Sequence, residues 1–297
     1  MSSPSKVLVV GRTGQLARHL QLLLPAATYW DRGQADLSHP ERLQAQIESC
    51  SPTIIINAAA HTAVDKAESE RDLAWRVNAE APAAMARAAA SCDAALVHVS
   101  TDYVFDGSRE RAYLESDPVS PQSVYGATKL GGELAVRTLA PRHWILRTSW
   151  VFSEYGNNFV KTMIRLGRER SELKVVNDQR GRPTYAGDLA RLIVALTTNP
   201  GSVATGTYHA GGPDHEGNEA LTWCEFAAAI FEKAHARGLI AKQPALAGIP
   251  TSQYPTPARR PRNSVLEPNA ALHSGAAVAF DWRHGLDSVL EYLAANP

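Results

Sequence analysis

The sequence predicts an α/β protein built on a doubly wound parallel sheet, with a smaller C-terminal substrate-binding cap. Three observations carry that prediction. Short strand-like runs alternate with helix-like segments through the first 150 residues. The run at 53–57 (TIIIN) is apolar and rich in β-branched residues, as a strand covered on both faces requires. Beyond residue 150 the alternation loosens, and the last third is irregular and proline-rich.

The segments follow in order. KVLVV (6–10) is a strand ending at Gly11, and a helix runs from Gln15 to about Leu24. ATYWD (27–31) is a second strand. PERLQAQIES (40–49) is an amphipathic helix with proline in its first turn, where no amide partner is lost. After the third strand, a helix is expected over 72–91, a strand at AALVHVS (94–100), a helix over 124–139 and a strand at HWILRTS (143–149). Parallel strands joined by helical crossovers give the doubly wound arrangement. Later, helices are expected at 158–170, 186–198, 222–236 and 282–295, a short strand at 173–178, a loop at 211–219 and extended chain at 249–264. The resulting division is a dinucleotide-binding region over 1–150 and a substrate-binding region over 151–297, with some later segments returning to the first.

Composition excludes several classes. Thirty basic and thirty acidic residues cancel, so no nucleic-acid footprint is expected. No apolar run approaches the roughly 20 residues that span a bilayer, and the N-terminus carries no apolar signal core. Cys50, Cys92 and Cys224 lie far apart and form neither a metal spacing nor a disulfide framework, as expected of reduced thiols in the cytoplasm.

The stretch at 7–21 is strand, glycine turn and helix. Gly11 suits the tight turn, Gly14 lets the backbone approach a pyrophosphate at the helix N-terminus, and Ala17 permits close helix–strand packing. Arg12, Thr13, Gln15 and Leu16 complete this candidate dinucleotide cradle. Asp31, ending the second strand, is placed for ribose hydroxyls, whereas Arg12 and Arg32 are suited to a 2′-phosphate. These signals point both ways; NADPH is expected, with NADH possible. Asp36 and Leu37 fall near the adenine, although Asp36 equally suits a loop cap. Ala58, Ala59 and Ala60 leave room for a flat cofactor.

Thr101 and Asp102 end the fourth strand, where open α/β sheets bind ligands. Tyr125 and Lys129 lie one helical turn apart on the next helix and share a face. A free phenol titrates near pKa 10, and an adjacent ammonium is expected to lower that value. With Thr101 holding a carbonyl oxygen, the set reads as a general acid for ketone reduction by a nicotinamide.

These residues resemble the extended short-chain dehydrogenase/reductases, a Rossmann-like family. The likeness runs nearly end to end, through GRTGQLA, NAAAHTAVDKAESE, VSTDYVFDG, SPQSVYGATKLGGE, LRTSWVF, GNNFVKTM, VVNDQRGRPT and YPTPARRPRNSVL. It implies reduction of the C4 ketone of dTDP-4-dehydro-L-rhamnose to dTDP-L-rhamnose, a cell-surface polysaccharide precursor. It implies that Tyr125 donates the proton, Lys129 tunes it and holds the nicotinamide ribose, and Thr101 polarises the ketone. Asp102 and Trp150 would face the sugar, and Asn158 and Phe159 the nucleotide. Arg182 or Arg260 would meet the diphosphate, Arg182 being equally readable as a solvated loop charge.

Some relatives dimerise through magnesium held by glutamates. This chain has His19 and Gly187 at the matching places, so no metal is expected and the protein should be a monomer or weak homodimer. A dehydratase would need an acid pair after the threonine, but Asp102 is followed by Tyr103. The segments do not match an epimerase. The remaining alternative is a non-catalytic binding subunit resembling the regulatory subunit of methionine adenosyltransferase.

Overall fold

The computed structural model describes residues 6–212 and 220–296. In chain order, β1 (Val7–Val10), α1 (Gln15–Leu23), β2 (Thr28–Trp30), α2 (Leu43–Cys50) and β3 (Ile54–Asn57) open the fold. They are followed by α3 (Val64–Ala67), α4 (Arg71–Trp75), α5 (Ala81–Ser91), β4 (Ala95–Thr101), α6 (Val124–Leu139) and β5 (His143–Thr148). Next come β6 (Val151–Phe152), α7 (Phe159–Glu169), β7 (Glu172–Val176), β8 (Arg180–Gly181), β9 (Thr184–Tyr185), α8 (Ala186–Thr198) and β10 (Gly206–His209). The chain closes with β11 (Leu221–Thr222), α9 (Trp223–Ala236), β12 (Ala245–Ile249), α10 (Ala270–Ala276) and α11 (Trp282–Ala295).

The central sheet has six parallel strands in the order β10-β5-β4-β3-β1-β2. Strand alternation sorts its side chains. Leu8, Val10, Ile55, Leu96 and Ile145 face α2, α5 and α6, while Val9, Ile54, Ile56, Val97 and Leu146 face α1, α8 and α10. Both faces are covered, which is why these strands are apolar throughout. The chain leaves β1 toward β2 and then crosses back to β3, so the strand order reverses beside the C-terminal end of β1. Ligands bind in the crevice such a reversal opens.

A third cluster, centred on Phe152, Val160, Ile164, Phe226, Ile230, Trp282 and Leu286, forms the core of a lobe built from α7, α9, α11 and β7 with β12. Its helices have strong starts. Asn158 caps α7 by accepting from the Lys161 amide at 3.2 Å, and Thr222 and Glu225 form a reciprocal capping box at α9. The expected loop at 211–219 lies, from 213 onward, outside the described residues.

Beyond the unexpected β12 and α10, two local features near the sheet depart from expectation. The sixth strand, GTYH at 206–209, is too short to read as a strand alone and forms by pairing along β5. The continuous helix expected over 72–91 is interrupted by a π-helical turn at Arg76–Glu80. Asn78, in that turn, accepts from the His61 amide (2.8 Å) and donates to the His61 carbonyl and Thr128 Oγ1 (both 3.1 Å). α6 lies so close that a methyl group at Gly132 would collide with the Asn78 carbonyl.

Candidate functional site

The reversal opens into a cavity of about 960 Å³. The glycine turn supplies its floor, and its two glycines differ in a telling way. Gly11 has φ +116°, and a Cβ there would stand 3.1 Å from the Ala58 carbonyl group, so the fold itself demands glycine. A Cβ at Gly14 would meet nothing of the protein closer than 4.0 Å. Gly14 also caps α1 without any side-chain hydrogen bond. The open space and the free amides of the first turn suit an anion, which is the fit a dinucleotide pyrophosphate needs.

Every candidate of the dinucleotide set lines this cavity: Gly11, Arg12, Thr13, Gly14, Gln15 and Leu16 from the turn, and Asp31, Asp36, Leu37 and Ala58 to Ala60 from the edges. Arg12 pairs with Asp31 at 3.7 Å and Arg32 with Asp36 at 3.7 Å, so the mouth holds both a ribose acceptor and cations. Asp36 also accepts from the Ser38 amide and hydroxyl (3.0 and 2.6 Å), a loop-capping geometry that lowers its pKa.

Thr101, Tyr125 and Lys129 converge on the same cavity from the end of β4 and the first turns of α6. Ser123 Oγ caps α6 by accepting from the Gly126 amide at 3.2 Å. A methyl group at Gly126 would strike the Tyr103 carbonyl, so glycine lets the helix seat against the segment after β4. Tyr125 packs edge-on against Tyr103, with ring centroids 5.6 Å apart.

The titration of this set corrects one expectation. Burial pushes the Tyr125 hydroxyl up to about 12; the Thr101 hydroxyl opposes this and the Asp102 carboxylate adds to it. The Lys129 ammonium does not offset this; it donates to the Val99 carbonyl at 2.7 Å. Burial brings Lys129 itself down to about 8, with Glu133 acting the other way. Tyr125 is thus a protonated phenol near neutral pH. Thr101 Oγ1 donates to Asp102 Oδ1 at 2.8 Å, and burial raises the Asp102 carboxyl to about 6 against the hydrogen bonds of Ser264 and Thr101.

A second cavity of about 940 Å³ lies in the lobe, between α7 and the β7–β12 pair. Phe159 lines it, and Trp223 and Arg260 line both cavities, so the two meet there. Trp150 lines the first cavity with φ +49°, its ring stacked on Trp223 at 3.5 Å and 10°. Asn158 lines the first cavity rather than the second, its amide donating to Gln15 Oε1 (2.9 Å) and the Ser153 carbonyl (2.6 Å). Arg260 reaches Asp65 through both nitrogens at 3.0 and 2.8 Å.

Arg182 is a correction. It lines neither cavity, is 4 % exposed, and donates to the Leu266 carbonyl at 2.8 Å. Its guanidinium holds the proline-rich return of the chain from inside. The sequence reading missed Trp223, Asp65 and the second cavity. Their lining residues are dispersed through the sequence, and no motif joins them; only Asp65, within the quoted NAAAHTAVDKAESE, carried a signal. His19 is buried between Ser153 Oγ (3.0 Å) and Glu154 Oε2 (3.4 Å), and a methyl group at Gly187 would strike the Tyr185 ring.

The parallel sheet, the open glycine cradle and the threonine, tyrosine and lysine beside it define a Rossmann-fold oxidoreductase of the short-chain dehydrogenase/reductase class. Within that class the chain belongs to the RmlD substrate binding domain family, whose model matches residues 5–295. It is 42 % identical over 299 residues to the dTDP-4-dehydrorhamnose reductase of Escherichia coli K12, covering 97 % of each chain. It is 40 % identical to that of Aggregatibacter actinomycetemcomitans, covering 97 % of this chain and 99 % of the relative. Among solved structures, it superposes on the dTDP-4-dehydrorhamnose reductase of Bacillus anthracis in complex with NADP with a TM-score of 0.87 and 37 % identity, covering 98 % of this chain and all of that one.

Proposed function

We propose that the protein reduces the C4 ketone of dTDP-4-dehydro-L-rhamnose to dTDP-L-rhamnose with NADPH, NADH being a possible substitute, and acts in the cytoplasm as a monomer or weak homodimer. The observation that carries this is the convergence of Thr101, Tyr125 and Lys129 on a cavity that joins a second one at Trp223 and Arg260. A nucleotide sugar spanning that junction places its base in the lobe against Phe159 and its diphosphate at Arg260, whose fork suits phosphate oxygens. Its sugar then lies between Trp150, Asp102 and Tyr125.

The amides after Gly14 would hold the pyrophosphate of NADPH, with Arg12 and Asp31 at the adenosine ribose. When bound, NADPH supplies a hydride to C4. Thr101 turns its hydroxyl from Asp102 to hold the ketone oxygen. Tyr125 gives its phenolic proton to that oxygen as C4 receives the electron pair, which balances the reduction. Lys129 would hold the nicotinamide ribose, and its charge would favour the phenolate left on Tyr125.

No helix among the described residues is long and apolar enough to cross a membrane. Relatives matched at 40 % identity or more over nearly the full chain are named as reductases, which speaks against a non-catalytic binding subunit. Oxidation of NADPH with dTDP-4-dehydro-L-rhamnose, followed by loss of nicotinamide absorbance, tests the proposal. It is overturned if the sugar nucleotide produces no turnover.

A further inference from the structure

Behind the site lies a buried charge pair, Glu133 and Arg147, neither of which lines the cavity. Glu133 stands one turn beyond Lys129 on α6 and is completely buried. Its carboxylate accepts from Arg147 Nε at 3.0 Å and Nη2 at 2.7 Å, and from Ser100 Oγ at 2.6 Å. Arg147, 2 % exposed, lies on β5 and packs over the Phe105 ring at 5.1 Å. Three elements are thereby tied at one carboxylate: α6, which carries Tyr125 and Lys129; β4, whose next residue is Thr101; and β5, which leads to Trp150.

The other titratable groups around this pair leave a simple charge count. His98 on β4 is held neutral by burial and by Lys129. His209 on β10 is brought down to about 4, chiefly by burial, with Glu115 opposing and Arg147 adding to the fall. Arg137 approaches Glu133 at 3.7 Å but is half exposed, so solvent screens it. Tyr125 is a neutral phenol, and the Asp102 carboxyl, just past β4, accepts from Thr101 Oγ1 and is unaltered in every variant below. Around the Glu133 carboxylate itself there remain, near neutral pH, two buried cations, Lys129 and Arg147.

We propose that Glu133 is a positioning residue that keeps Lys129 charged: its carboxylate neutralises Arg147, so that the active-site ammonium is not forced to share a dry interior with an unpaired guanidinium. The inference rests on Lys129 acting in the site assigned above. A buried charge losing its counter-ion commonly gives way by protonation change. The Arg147–Glu133 pair therefore works on Lys129 by charge, beyond holding three elements together.

The sign of the effect separates the two roles. Glu133→Gln leaves two cations, so Lys129 loses its proton at lower pH. Arg147→Met leaves Glu133 unpaired beside Lys129, so the proton is held to higher pH. The double variant removes both charges and restores the count. The readouts are NADPH affinity against pH, by cofactor fluorescence, and the basic limb of kcat/KM. Glu133→Gln should move the basic limb down by about one to two pH units, Arg147→Met should move it up, and the double variant should return it close to the parent. At about pH 8.5, Glu133→Gln should bind NADPH roughly tenfold more weakly than the parent. If Glu133→Gln fails to fold, Arg147→Met and the double variant still carry the test. The proposal is overturned if the singles shift the limb in the same direction, if no variant shifts it, or if NADPH binding by the parent has no basic limb. A parent that binds NADPH with these shifts but does not turn over the sugar nucleotide would sink the proposed reaction and leave this inference standing.

Discussion

The sheet region and the C-terminal lobe build their halves of the site by opposite routes. In the sheet, functional groups sit where strands end and helices begin: Gly11 after β1, Ala58 after β3, Thr101 at the end of β4 and Tyr125 in the first turn of α6. Their positions follow from the repeat itself, because a doubly wound sheet delivers all its strand ends to one edge. In the lobe, Phe159, Trp223 and Arg260 come from two unrelated helix starts and a proline-rich strap. They meet only because the apolar core of Phe226, Ile230 and Trp282 draws those segments together. The sheet places its candidate groups by periodicity, and the lobe places its own by packing.

The largest test of that contrast is Tyr125→Phe. It should cut kcat by about 10² to 10⁴, since it removes the general acid, while NADPH affinity and folding stay close to the parent. Full activity would remove the assigned proton donor.

The two turn glycines come next. Gly11→Ala must hold alanine at φ +116° against the Ala58 backbone and should cost about 1–3 kcal/mol of stability in a urea titration. Gly14→Ala should stay within about 1 kcal/mol of the parent yet bind NADPH at least about tenfold more weakly, because only the ligand needs that space. Equal loss of stability in both would mean that Gly14 serves the fold.

The arginines sharpen the lobe side of the comparison. Arg260→Ala should raise KM for the nucleotide sugar about tenfold with KM for NADPH unchanged, the loss of one charged hydrogen-bonding partner. Arg182→Leu should lower stability by about 1–3 kcal/mol, since it strands the Leu266 carbonyl in the interior, and leave both KM values near the parent. The reverse pattern would restore Arg182 to the diphosphate.

The smallest effect is a pH dependence of stability. Asp102 is raised from 3.8 to about 6 by burial. An acid whose folded pKa lies above its unfolded value binds its proton more tightly when folded. That stabilisation is complete below about 4, falls as pH rises, and is gone above about 6. Asp102→Asn should therefore raise Tm by a few degrees above pH 6, the equivalent of at most about 3 kcal/mol, and change it little at pH 4. No difference between the two pH values would show that Asp102 carries no burial cost.

The contrast also explains what was legible beforehand. Strands β1 to β5 and helices α6 and α8 could be read because both hydrophobic periods are local. The dinucleotide cradle could be read because turn, strand end and helix start are contiguous in sequence. The π turn at Arg76–Glu80 was hidden in an ordinary alanine-rich helix pattern, since its cause, the Asn78 contacts with His61 and Thr128, lies 17 and 50 residues away. Strand β10 was hidden because four residues containing glycine carry no periodic signal. Arg182 was misplaced because an arginine in a glycine–proline loop reads the same whether it faces solvent or the interior.

By itself the sequence determined the doubly wound sheet, the glycine cradle and the set of Thr101, Tyr125 and Lys129, because these depend on spacing along the chain. Only the tertiary structure decided where the charges go. It turned Lys129 toward Val99 and left Tyr125 a high-pKa phenol, buried Arg182, kept Arg260 at the junction of two cavities, and set Glu133 against Arg147. Burial and distance fix the state of a charge, and both depend on which distant segments the fold packs around it.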